Sequence, residues 1–410
     1  MFNIFQHVGP EIPLTLILLA ALGLRAKVTP RASVWVNVLP EKLWALLDVY
    51  DGKTENWGRT KVITELIDAT SQTYLKTYAT SLANGMVRPF TAKFQISQRQ
   101  PNRAITLLRS GLDGKSPNNE LLKITHNLTP EKGGTRLVTV YYWGPRTLMA
   151  QLLARTDLWS GAFRLKGQAE TGIANERPYV LISLGVTLVT GLLSVLAFGL
   201  ILNFTIAWLL VLALFVHEFG HLLAYKLMGQ PWGRLIFLPF LGAMAMPRLP
   251  FQSQGQSVFA ALMGPGFSVV LALACAAPWF LHGYIDSWLA ITGLVTAGLN
   301  IFNLLPAEPL DGGVALRSVL TRLIGNNARY GLIAVGILIA IVGFSIDQLA
   351  LVIFGGMAIL ANLRTRTIDA GLTPLSSLQM AIAGFGYAAI ITAHITMLQF
   401  FFEKMALLQS

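Results

Sequence analysis

The sequence predicts a polytopic α-helical membrane protein, of about seven or eight spans, that carries a separate soluble α+β domain. Three observations predict it. The 410-residue chain is 54% hydrophobic and only 12% charged, with a mean hydropathy of +0.57. A soluble domain carries about a quarter charged residues, so most of this chain belongs in lipid. The charges are also unevenly spread: residues 25–178 hold 22 of the 31 Lys+Arg and 12 of the 20 Asp+Glu, a local balance of +10. Outside that stretch run apolar segments near the roughly twenty residues a membrane helix needs. The single cysteine, Cys275, lies in one of them, so no disulfide framework is available.

Taken in order, the first element is the short apolar run at residues 14–24. No Lys or Arg precedes it, while Arg25 and Lys27 follow, the reverse of a signal peptide's charge layout. Residues 1–27 are read as a hydrophobic segment, either an extra span or a helix packed on the membrane domain.

Residues 28–177 form the soluble module. Val34, Val36 and Val38 alternate with Trp35 and Asn37, predicting a strand at 33–38, and a helix follows at 41–49. Further strands are predicted at 90–98, 103–109, 121–128 and 134–143, the last two joined by a hairpin turn at 129–133. A long helix over about 145–170 closes the module.

Residues 178–410 form the membrane domain, with spans at about 181–202, 205–227, 257–280, 287–305, 330–346, 348–363 and 376–402. With the soluble module in the cytosol and the spans alternating, Lys226, Arg234, Arg248, Arg317, Arg322, Arg329, Arg364 and Arg366 all fall on the cytosolic side. The outer connections carry Asp286 and Asp347, and Lys404 is the exception. The expectation is a multi-pass integral membrane protein with residues 28–177 cytosolic.

The chemistry is concentrated in two motifs. His217-Glu218-Phe219-Gly220-His221 spells H-E-x-x-H inside the second of these spans. On a helix, His217 and His221 lie one turn apart on one face and both imidazoles can reach one Zn2+, while Glu218 can take a proton from water. Two histidines and a glutamate are costly in hydrocarbon, so an intramembrane cluster points to function. The bland reading is a pair of histidines bonded to neighbouring helices. The second motif is Asn303-Leu304-Leu305-Pro306-Ala307-Glu308-Pro309-Leu310-Asp311-Gly312-Gly313, at the cytosolic end of its span and thus at matched depth. Asp311 offers a third ligand. Pro306 and Pro309 interrupt the helix, and Gly312 and Gly313 let the backbone turn sharply. Alternatively, Asp311 caps a helix over 314–323; capping and ligation are compatible.

These paired motifs resemble the site-2 proteases, a family of intramembrane zinc metalloproteases that joins H-E-x-x-H on one membrane helix to N-x-x-P-x-x-x-L-D-G on a later one. Asn303, Pro306, Leu310, Asp311 and Gly312 fill the second pattern, and the resemblance covers roughly residues 180–325. It implies one Zn2+ per chain held by His217, His221 and Asp311, with Glu218 as general base and acid and Asn303 helping to hold the substrate carbonyl or oxyanion. Residues 235–246 resemble the membrane-dipping strand or loop of that family, whose unpaired edge an unwound substrate could join; an interface loop plugging the bundle is the alternative. Gly264-Pro265-Gly266 is expected to open the next span. The family often places an Asn three residues after that proline, where this chain has Ser268. The family's frequent PDZ domain has no room in the 229–256 loop.

The soluble module resembles a START-like or helix-grip fold, of the polyketide cyclase/dehydratase superfamily: one short helix, a curved antiparallel sheet and a final long helix. That fold usually encloses an apolar cavity, which implies a lipid or small hydrophobic ligand; a filled core is the alternative. The positive balance suits anionic lipid headgroups. No phosphate loop or nucleic-acid pattern is present, so no nucleic acid is expected. His126 is read as a packed or surface residue, and His282 and His394 as structural.

The expected function is intramembrane cleavage of transmembrane protein substrates, presented or regulated through the soluble module. A peptidase with a glutamate third ligand is disfavoured, because no downstream glutamate sits in a helical E-x-x-x-D context. The non-enzyme alternative is a lipid-sensing or scaffolding protein that retains a protease-like bundle, against which the intact His217, Glu218, His221 and Asp311 argue.

Overall fold

The structure, a computed structural model, describes residues 25–409 apart from 28, 84, 113–121, 143 and 365–371, so the run at 14–24 lies outside the described residues. The chain divides into two compact units, Met1–Val186 and Thr187–Ser410. The division falls inside the helix Arg177–Ile201, at whose N-terminus the sequence boundary was expected.

In the first unit, β1 (Arg25–Ala26) pairs with β10 (Arg146–Thr147), apart from the main sheet. That sheet contains β2 (Arg31–Val36), β3 (Thr54–Trp57), β4 (Thr60–Asp68), β5 (Thr73–Ser81), β6 (Val87–Gln100), β7 (Ala104–Leu112), β8 (Leu122–Glu131) and β9 (Gly134–Tyr142). Its order is β2-β9-β8-β7-β6-β5-β4-β3, and each neighbouring pair is antiparallel. The short helix α1 (Pro40–Leu47) follows β2, and the long helix α2 (Leu148–Thr171) closes the unit.

Helix α2 begins where Thr147 Oγ1 accepts the Ala150 amide and ends at Gly172 in the left-handed conformation. Between these caps, Leu158, Ala162, Leu165 and Ala169 recur at helical spacing and pack on Val34, Val36, Phe94 and Leu137 of the sheet and on Leu43 and Leu47 of α1. This is the helix-grip arrangement. The β8–β9 hairpin is tighter than expected: Glu131 pairs with Gly134 around a two-residue turn, Lys132-Gly133, with φ of 50° and 74°. The sequence reading missed β3, β4 and β5. Glu55, Thr60 and Lys76 of these strands face the interior, which blurs the apolar/polar alternation that betrays a strand.

The second unit is helical. It contains the rest of α3 (Arg177–Ile201), then α4 (Phe204–Leu227), the hairpin β11 (Arg234–Leu238) and β12 (Gly242–Met246), α5 (Gln254–His282), α6 (Ser287–Asn303), α7 (Asp311–Ile324), α8 (Ala328–Ser345), α9 (Leu349–Arg364) and α10 (Ser377–Gln409). Among the described residues, five helical segments are long and apolar enough to cross a membrane: Arg177–Ile201, Phe204–Leu227, Gln254–His282, Asp311–Ser345 and Ser377–Leu408. The fourth is a composite, broken at Gly325–Asn327 between α7 and α8. Helices α6 and α9, with 17 and 16 residues, are shorter than the other spans. Leu188, Leu192 and Leu196 leave an exposed apolar face on α3, as a lipid-facing helix would. The chain is a membrane protein.

Side chains set the helix starts. Asn203 Oδ1 accepts the Ile206 amide, Ser253 Oγ that of Gln256, and Asp286 Oδ1 that of Trp288. The Ser253 cap corrects one expectation. Gly264-Pro265-Gly266 does not open α5 but lies well inside it, because the helix starts at Gln254 and runs past Pro265. His394 Nε2 of α10 donates to Pro265 O at 3.0 Å, which ties α10 to this turn of α5.

Candidate metal centre

The site is assembled from α4, α5, α6 and α7. His217 and His221 lie one turn apart in α4, and both are buried. Their rings are turned by partners that leave no choice of tautomer. Asn300 of α6 donates through Nδ2 to Thr296 O at 2.7 Å, which directs its Oδ1 at Nδ1 of His217, 2.8 Å away. An amide oxygen can only accept, so Nδ1 of His217 carries the proton. In the same way Nδ1 of His221 donates to the carbonyl of Ala260 at 2.7 Å. A neutral ring has one N–H, so both Nε2 atoms present lone pairs.

Those two lone pairs meet a carboxylate. The Nε2 atoms are 3.1 Å apart, and Asp311 Oδ2 stands 3.1 Å from that of His217 and 3.4 Å from that of His221. Three acceptors packed this closely repel one another unless a metal cation or a proton sits among them. Zinc–ligand bonds of about 2.0–2.1 Å at tetrahedral angles put neighbouring donors about 3.3 Å apart, so the triangle has the edge lengths of a zinc site. The residues therefore fit the metal. One ligand atom each from His217, Glu218 and His221 also lie within 4.8 Å of one another, so the buried Glu218 carboxylate borders the same site.

Close backbone approaches make this geometry possible. A Cβ on Gly264 of α5 would collide with the His221 ring and lie 3.0 Å from Nε2 of His217. A Cβ on Gly220 would lie 2.8 Å from Cβ of Phe267 and 2.9 Å from Cα of Gly264. Helices α4 and α5 can thus cross closely enough for His221 to reach Ala260.

Asp311 is the first residue of α7, whose N-cap is Leu310, with no side-chain capping bond. The capping role weighed for Asp311 is absent, and its carboxylate is turned to the histidines instead. Gly312 and Gly313 also act differently from the sharp turn expected of them: both are helical. A Cβ on either would collide with the backbone of the preceding loop, at Leu304 and at Ala307 respectively.

That loop is clamped from several sides. Asn362 of α9 donates to Pro306 O at 2.7 Å and accepts from the Glu308 amide at 3.4 Å, and the Tyr387 hydroxyl of α10 donates to Leu304 O at 2.6 Å. Glu308 receives Nη1 of Arg317 at 2.6 and 2.8 Å. Arg317, counted above among the cytosolic charges, is thus buried and paired inside the bundle.

Other predicted residues are placed less decisively. Asn303 ends α6, half-buried, one turn beyond Asn300. Ser268 is fully buried and donates to Gly264 O at 3.1 Å, within its own helix. Asn300, Asn362 and Tyr387 were not foreseen from the sequence, and Gly264 was read there only as part of a helix start. Asn300 lies three residues before Asn303 on the same helix, where a polar side chain in an apolar span was the available signal.

Residues 235–246 form the β11–β12 hairpin. On β11, Leu235 O accepts from Thr187 Oγ1 at 2.6 Å, and the Phe237 amide donates to Thr190 Oγ1 at 3.2 Å, so α3 covers that edge. Leu235 and Phe237 pair with Ala245 and Ala243, which by ladder alternation turn their peptide groups to the opposite edge of β12. Among the described residues no further strand pairs there. Tyr225, one turn beyond His221, donates to Ala245 O at 3.2 Å, placing this edge alongside the histidine helix.

No family model matches the chain. A provisionally named zinc metalloprotease from Synechocystis is 32% identical over 139 residues, covering 33% of this chain and 36% of that protein. A zinc metalloprotease from Methanocaldococcus jannaschii is 29% identical over 154 residues, covering 35% of this chain and 44% of that one. This chain resembles the site-2 type of zinc metalloprotease. It spans less than half the length of either curated relative. The solved site-2 protease from M. jannaschii aligns with 44% of this chain and 88% of its own, at 19% identity and a TM-score of 0.31.

Proposed function

We propose that this chain is an intramembrane zinc endopeptidase that hydrolyses peptide bonds in or near transmembrane segments of other membrane proteins. The observation that carries the reading is the triangle of His217 Nε2, His221 Nε2 and Asp311 Oδ2, with edges of 3.1 to 3.4 Å. Bound there, one zinc ion would supply Lewis acidity toward water and the scissile carbonyl. Glu218, next to His217 in the chain and bordering the same site, takes a proton from the attacking water and delivers it to the leaving amine nitrogen. Asn300 holds the His217 ring in the tautomer that offers Nε2. Asn303 faces the substrate carbonyl.

Helical amides are shielded by their own hydrogen bonds, so a substrate must be unwound locally before it is cut. The edge of β12 that no strand pairs supports a means of holding it: an extended segment adds as a strand through the peptide group of Ala243 and the amide of Ala245, whose carbonyl Tyr225 holds. Residues 28–177 lie in the cytosol, where their basic charge draws them to anionic lipid headgroups and they present or regulate the substrate. The chain crosses the bilayer about seven or eight times, the eighth being the run at 14–24.

Incubation of the reconstituted protein with a transmembrane peptide library containing helix-breaking residues tests the reading. Wild type cleaves near those residues and Glu218→Gln does not. Equal cleavage by both proteins contradicts the assignment.

A further inference from the structure

The first unit holds a cavity of about 420 Å³ between the sheet and α2, open on one side. Side-chain alternation delivers residues to it in pairs two apart from successive strands, among them Lys76 with Tyr78, Leu107 with Arg109, and Ile124 with His126. The lining is apolar over much of its area but carries an excess of positive charge: Lys76, Arg109 and Arg164 against Glu55.

Two of these charges are already matched. Glu55 pairs with Lys53 at 3.0 Å, and Arg164 reaches Glu176 at 3.2 Å and Trp57 O at 3.0 Å. Lys76 and Arg109 are not. Among the described residues neither has a hydrogen-bond or salt-bridge partner; both lie near the Phe94 ring, at 5.5 and 6.0 Å from its centroid. Burial, the largest cause, draws the Lys76 ammonium down to about 8 despite Glu55 nearby. His126 is bonded to Thr139 Oγ1 at 2.9 Å and held by burial down to about 4, so at neutral pH it is an uncharged wall residue. Lys76 and Arg109 are each half-buried; a cation partly withdrawn from water without a counter-ion is costly, and a cavity holding two beside an apolar wall is complementary to an anion with a hydrocarbon tail. The volume suits one compact ligand rather than a two-chain lipid.

We propose that this cavity binds a single-chain anionic amphiphile, its head held between Lys76 and Arg109 and its chain lying along Phe94, Leu107, Ile124 and Leu158. The site is independent of the metal centre and does not rest on the protease reading.

The test uses the full chain in lipid nanodiscs with dodecanoate labelled with 13C at the carboxyl carbon, observed by NMR. Dodecyl phosphate and dodecanol serve as unlabelled competitors. Dodecanoate should give one saturable bound resonance, distinct from the bilayer signal. Dodecanol should compete at least tenfold more weakly. Dodecyl phosphate competing more strongly than dodecanoate assigns the site to a phosphate headgroup, and the reverse order to a free carboxylic acid; either supports an anion site.

Lys76→Met with Arg109→Met should weaken dodecanoate at least tenfold. Gly161→Trp should abolish the bound resonance, since a Cβ at Gly161, on the cavity wall, points into open space. The proposal is overturned if no bound resonance appears, if dodecanol competes as well as dodecanoate, or if the bound signal survives Gly161→Trp unchanged.

Discussion

Asn300 Oδ1 stands 2.8 Å from Nδ1 of His217, and this contact decides which nitrogen of the histidine faces Asp311. The orientation is inherited along α6, since Asn300 is itself held by the carbonyl of Thr296. Replacing Asn300 with Ala frees the ring to rotate and to change tautomer. Loss of such an outer partner typically weakens metal affinity about 10–100-fold. Competition with a chromogenic chelator should show that loss for Asn300→Ala, and unchanged affinity would remove Asn300 from the site.

Gly264 makes a second prediction, from space rather than hydrogen bonding. The added methyl of Gly264→Ala collides with the His221 ring, so one of the two must move. Zinc retention should fall at least tenfold, while the helical signal in circular dichroism stays the same. Full zinc content in Gly264→Ala would mean that α4 and α5 do not cross as described.

The loop ahead of Asp311 gives a third. Asn362→Ala leaves Pro306 O and the Glu308 amide without their partner, a loss of about 1–3 kcal/mol for buried groups left unpaired. Asp311 begins the next helix, so loosening this loop loosens the ligand. Zinc should dissociate faster from Asn362→Ala, measured by stopped-flow chelation. A rate equal to wild type would show that α7 holds Asp311 without help from α9.

Much of this arrangement was legible in the sequence because it rests on periodicity. His217 and His221 at i and i+4 had to share a helix face, and the apolar runs marked all the helices from α3 to α10 except α7, whose 314–323 core was foreseen as a short helix. The remainder depends on contacts between distant segments. Asn300 reads as one polar residue in an apolar span until His217 is placed 2.8 Å away. Gly264 reads as part of a helix start until the rings of α4 are seen against it. Arg317 reads as a surface charge because its partner, Glu308, lies across a loop whose path the sequence does not show. In the soluble module the missed strands β3, β4 and β5 turn Glu55, Thr60 and Lys76 inward, which blurs the alternation that marks a strand.

His126 makes a prediction about acid. Its folded value, about 4, lies below the ordinary 6.5, chiefly through burial and then through the Lys76 charge. Between those values the unfolded chain binds the proton and the folded one does not, so stability falls as pH drops from about 6.5 to 4. Hydrogen exchange in β8 and β9 of the full chain should quicken over that window. His126→Gln should flatten the response, and an equally steep response in the variant would place its origin elsewhere.

The central claim is that His217, His221 and Asp311 hold zinc while Glu218 does not. The most direct measurement is zinc per chain, by mass spectrometry of the purified protein, for wild type, Asp311→Ala and Glu218→Gln. Near-stoichiometric zinc is expected in wild type and in Glu218→Gln, with a large loss in Asp311→Ala. Wild type that stays zinc-free under metal-replete conditions, or Asp311→Ala that keeps its full complement, would contradict it.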